Sequence, residues 1–92
     1  MKQVAKPQQI TDKIEALIAT QQAKGYKTGW VYHQMEVVQA KAEAKGLSFY
    51  PYREISSRAL SVAKGEETLG ELRKTWDDEY EMHLEMERAY GG

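Results

Sequence analysis

Ninety-two residues with a formal net charge of −1 at pH 7 and no cysteine are enough for one domain, with a core just large enough for independent folding. The missing thiols exclude disulfide and thiolate chemistry and suit a reducing cytosol. The near-neutral total argues against affinity built on blanket neutralisation of phosphates.

No apolar run reaches the roughly 18 residues needed to span a bilayer. The opening MKQVAKPQQ lacks the apolar segment of a secretory signal, so a cytoplasmic protein without membrane contact is expected. The small net charge hides a division along the chain. Residues 1–64 carry ten Lys/Arg against five Asp/Glu, and residues 65–92 three against nine. That leaves room for a basic and an acidic patch on different faces; the simpler reading is that the two regions face each other or lie solvated.

In chain order, residues 1–9 are expected to form a flexible lead, with Pro7 and two glutamines discouraging a helix start. Thr11 then caps a first helix at about 12–24, with Ile14, Leu17 and Ile18 on one stripe and Ile10 closing its entry. Gly25 ends it. A central helix is expected at about 28–45, capped by Thr28 and ended by Gly46. On a 3.6-residue wheel it carries two apolar stripes: Val31, Met35, Val38 and Ala42 on one, and Trp30, Val37, Ala40 and Ala44 with His33 on the other. Two stripes imply neighbours on two sides, which makes this the organising helix of an all-α, four-helix bundle-like domain.

The run GLSFYPY follows, with Phe49 and Tyr50 expected to plug the bundle end. Pro51 suits a first helical position, and a third helix is expected at about 51–64. A short strand at 47–52 is the alternative, without an evident partner. Thr68 and Glu71 have the form of a capping box ahead of a fourth helix at about 69–90. Its inner side is read as Leu69, Leu72, Trp76, Tyr80, His83 and Tyr90, edged by Leu84 and Met86; Asp77, Asp78, Glu81 and Glu85 form its acidic outer face.

Catalytic chemistry finds little to stand on. His33 has Glu36 three residues on, and Glu79 and Glu87 flank His83. The paired Glu-x-x-His pattern of a di-metal bundle fails because Tyr80 stands three residues before His83. No P-loop, dinucleotide fingerprint or nucleophile elbow occurs. The expectation is a non-enzyme without metal, cofactor or small-molecule substrate.

Two binding chemistries remain. Lys24, Lys27, Lys41, Lys45, Arg53 and Arg58 interleave with Tyr26, Trp30, Phe49, Tyr50 and Tyr52, a composition that can hold a strand by phosphate contact and base stacking. Lys24, Tyr26, Lys27, Lys41 and Arg53 are the candidate contacts of that kind. The other candidate is the acidic face of the fourth helix, Asp77, Asp78, Glu81 and Glu85, with Trp76 and Tyr80 at its edge, which could dock on a basic protein or imitate a phosphate backbone.

The run KGYKTGWVYHQ, residues 24–34, resembles a G-Y-K-P-G-W motif of a small helical module at the C-terminal end of phage and bacterial superfamily-2 helicases, and of short phage-encoded relatives. Gly25, Tyr26, Lys27, Gly29 and Trp30 match; Thr28 stands where that family usually has proline, and Val31 where alanine is common. The resemblance covers about a tenth of the chain. It implies a helical accessory module in nucleic-acid metabolism, with no ATPase activity because the motor motifs are missing. The function expected is therefore a helical interaction module, phage or mobile-element derived, that serves a nucleic-acid-processing machine through protein contacts. The alternative is a phage-type inhibitor whose acidic C-terminal helix blocks a host nucleic-acid-binding protein.

Overall fold

A computed structural model describes residues 3–25, 27, 29–49, 52 and 54–90. The fold is all-α. Among these residues it has four helices, α1 (Pro7–Ala23), α2 (Gly29–Ala44), α3 (Ile55–Ala63) and α4 (Leu69–Ala89), with two short strands, β1 (Gln3–Val4) and β2 (Leu47–Ser48). The helix α2 packs on both α1 and α3, and α4 lies along α1. The central position expected for α2 is therefore correct.

The chain's opening differs from expectation. Instead of a loose lead, Gln3–Val4 pairs in parallel with Leu47–Ser48, Gln3 opposite Leu47 and Val4 opposite Ser48. The Gln3 N–H donates to Gly46 O at 2.9 Å and the Ala5 N–H to Ser48 O at 2.8 Å. This is the partner that a strand at 47–52 appeared to lack.

Helix α1 begins at Pro7 rather than near residue 12, because proline at the first helical position has no N–H to leave unsatisfied. The Gln9 side chain reaches back to accept from the Lys6 N–H at 2.7 Å. Thr11 is thus an interior residue instead of a cap. It is buried, and its hydroxyl donates to Pro7 O at 3.1 Å.

Gly25, Gly46 and Gly65 all take positive φ, at 73°, 88° and 80°, the left-handed backbone that ends a helix at little cost when the residue is glycine. Helix α3 starts at Ile55, later than expected. Glu54 just before it sits at φ 54° and ψ 40°, which breaks any helical path arriving from upstream. Of the capping box expected from Thr68 and Glu71, the Thr68 half is present: its hydroxyl accepts from the Glu71 N–H at 3.1 Å. Thr28, Tyr50 and Pro51, which carried other expectations, lie outside the described residues.

The core gathers Ala5, Ile10, Ile14, Val31, Met35, Phe49, Tyr52, Ile55, Ala59, Leu72 and Trp76. Tyr52 joins three parts of the chain. Its hydroxyl donates to Ala5 O at 2.7 Å, and its ring lies 5.5 Å from that of Trp76 at 54°, a tilted aromatic pair. Burial, with Tyr80, Asp77 and Glu79 nearby, pushes the Tyr52 phenol well above its usual range.

Candidate functional site

Two surfaces stand out, one on α2 and one on α4. On α2 a single stripe, Val31, Met35 and Ala42 with half-buried Val38, serves both neighbouring helices. The second stripe was expected to meet another helix; instead it faces outward. Trp30 is 49% exposed, His33, Ala40 and Ala44 are exposed, and Val37 is half-buried. Two neighbours can share one stripe when they lie to either side of it, so two apolar stripes did not require two buried faces. Trp30 and His33, with Lys27 and Gly29, line an open groove of about 400 Å³.

On α4, Trp76 and Leu72 are buried and Tyr80, His83 and Leu84 are half-buried. Tyr90 and Met86, expected on or beside the inner side, are 84% and 57% exposed, and Met82 is 62% exposed. The reason is geometric. Twenty-one residues extend about 31 Å at 1.5 Å per residue, and from Glu85 onward every described residue is exposed. Met82 and Met86 lie one turn apart on an exposed flank of the helix, beside the row of exposed Asp78, Glu81 and Glu85. Asp77 is also exposed, so all four acidic candidates are accessible. Trp76, expected at the edge of this face, belongs to the core.

The basic candidates fare differently. Lys24, Lys27 and Lys41 are exposed, whereas Tyr26 and Arg53 lie outside the described residues. Phe49 and Tyr52 are core residues and cannot stack on bases. Arg58 is turned to the α3–α4 connection, where its Nε lies 3.2 Å from Glu67 Oε1. Trp30 lines its groove beside exposed Lys27.

The histidines do not converge. His83 Nε2 lies 3.2 Å from Glu87 Oε1, in a shallow recess with Gln3, Val4, Tyr80 and Leu84, while His33 faces solvent on α2. Among the described residues no three His, Asp or Glu side chains gather where they could hold a metal ion, and no helix is long and apolar enough to cross a membrane. The two surfaces differ in chemistry: one is basic and aromatic, the other acidic with exposed thioethers. The exposed methionines are the surface feature that sequence reasoning missed; the alternation of Met with carboxylates at 81, 82, 85 and 86 was the available signal.

Compared with known proteins, the chain matches no family model, no curated protein and no solved structure.

Proposed function

We propose that the protein acts by binding, as a small helical accessory module of phage or mobile-element type that serves a nucleic-acid-processing machine through protein contacts made by α4. The reading rests on one observation: Met82 and Met86, 62% and 57% exposed, lie alongside the row of Asp78, Glu81 and Glu85. Methionine is unbranched and polarizable and fits irregular apolar surfaces. The carboxylates around it attract a basic partner and set its orientation. A basic amphipathic helix or a basic groove with an apolar floor is the complementary surface. The nearly neutral total charge supplies little long-range attraction to bare phosphate, which favours a protein partner over nucleic acid.

The inhibitor reading uses the same face. An exposed line of carboxylates along one helix can occupy a groove built for a phosphate backbone, so a host nucleic-acid-binding protein would be the target. The resemblance of residues 24–34 to helicase-associated modules favours the accessory role.

The test is capture from host lysate with the wild-type chain and with Asp77, Asp78, Glu81 and Glu85 all changed to lysine. The wild type is expected to retain a nucleic-acid-processing or nucleic-acid-binding protein and the reversed chain to lose it, with circular dichroism unchanged. Single-stranded DNA and RNA are expected to show no measurable binding at physiological salt. Tight, salt-sensitive binding to either that survives the reversal, and that Lys24, Lys27 or Lys41 substitutions weaken, would replace protein contact with phosphate contact.

A further inference from the structure

The outward stripe of α2 has a regularity beyond being apolar. Trp30, His33, Val37, Ala40 and Ala44 recur at spacings of three, four, three and four, the a and d positions of a coiled-coil seam. With Trp30, Val37 and Ala44 at a, and His33 and Ala40 at d, the flanking positions are fixed. Glu36 and Glu43 fall at g, and Gln34 and Lys41 at e. Glu36, Lys41 and Glu43 are exposed. The opposite side of the same helix, Val31, Met35 and Ala42, is already consumed by the domain's own core. One helix therefore serves two interfaces, one closed within the chain and one open.

Charge decides what fits the open one. In a parallel helix pair, each g residue faces the e residue five positions later on the other helix. Glu36 of one copy then meets Lys41 of the other, and by symmetry Lys41 of the first meets Glu36 of the second. Both pairs are attractive. In an antiparallel pair g faces g, so Glu36 would meet a glutamate of the opposite chain. The seam is thus complementary to itself in one orientation and repelled in the other. A two-fold interface with these reciprocal contacts is the commonest form of association. The small Ala40 and Ala44 permit close approach of the two backbones, and Trp30 supplies the bulk at the N-terminal end of the seam.

We infer that this chain associates with a second copy of itself through a parallel α2–α2 seam, its two-fold axis running along the helices between Trp30 and Ala44. This surface is separate from the acidic face of α4, so the seam and the partner contact stand or fall independently. The seam is only about 21 Å long at 1.5 Å per residue, so the dimer is weak, with a dissociation constant of roughly 10–500 µM.

Sedimentation equilibrium of the full chain from 10 µM to 2 mM tests it. A monomer–dimer equilibrium is expected, accompanied by a concentration-dependent blue shift of Trp30 emission measured in a Trp76→Phe background. Glu36→Lys and Lys41→Glu should each weaken the dimer by about 5- to 30-fold, since each turns two attractive pairs into two repulsive ones. The double variant E36K/K41E should restore it. Because the chain has no cysteine, A44C is a single reporter: an a position faces its own counterpart only in a parallel pair, so oxidation should yield a disulfide-linked dimer.

A mass that stays monomeric to 2 mM overturns the proposal. So does association tightened by Glu36→Lys, which marks an antiparallel pair, and so does a mass that keeps growing past the dimer. A dimer insensitive to Ala40→Lys, a change at an exposed seam position with circular dichroism intact, overturns it as well.

Discussion

Tyr52 is the residue on which most of the fold converges, because one side chain ties β1 to α4. Tyr52→Phe keeps the ring against Trp76 but leaves the buried Ala5 carbonyl without its donor, so a loss of about 1–2 kcal/mol is expected in urea unfolding. The same hydroxyl makes stability sensitive to alkali. Its folded pKa is raised above the unfolded value near 10, so above about pH 10 the unfolded state loses this proton first. The stability it contributes is complete below that pH and falls as pH rises. Urea titrations at pH 8 and pH 11 should show a decline in the wild type that is smaller in Tyr52→Phe. The two tryptophans behave oppositely. Trp76→Ala should cost about 3–5 kcal/mol, while Trp30→Ala, at a half-exposed site, should cost less than about 1 kcal/mol. Helical spacing placed both in apolar stripes, and a wheel cannot say which stripe a neighbour covers. That is why Trp30 was legible as apolar but not as surface.

At the scale of elements, the glycine ends of the helices and the Thr68 cap were the most legible features, because their chemistry is local, whereas the starts of α1 and α3 were misplaced. Gly25, Gly46 and Thr68 act within a turn of themselves, and each does what its residue type requires. Thr68→Ala removes the acceptor for the Glu71 N–H and should cost about 1 kcal/mol. Gly46→Ala has open space around the new methyl group but keeps φ at 88°, so about 1 kcal/mol of backbone strain is expected with no steric term. Thermal melts of the two variants should therefore fall by similar amounts. The strands were not legible because two residues carry no periodicity. Their pairing is decided by segments more than forty positions apart. Proline at position 7 was read as a helix breaker although its first-turn preference was equally available. The acidic face of α4 was legible residue by residue, since charge alone keeps Asp77, Asp78, Glu81 and Glu85 outside. Met82 and Met86 were not, because which flank of a helix a neighbour leaves uncovered, and where the bundle ends along it, are properties of the assembled molecule.

The whole molecule measures 48 × 27 × 16 Å, elongated for its size, which leaves a large share of each helix at the surface. Reversal of the four acidic residues should therefore hardly move the melting temperature, since none of them is buried. The strand pair has a consequence for how such a chain is made. Residues 3–5 leave the ribosome long before the segments that hold them: β2, and Tyr52 with its phenol 47 positions on from Ala5. Until Leu47–Tyr52 clears the exit tunnel, the nascent chain can form α1 and α2 but cannot anchor residues 3–5. The capture of residues 3–5 by the middle of the chain is then a closure of long sequence separation that local helix formation cannot hasten, and the docking of the later-made α4 on α1 follows it.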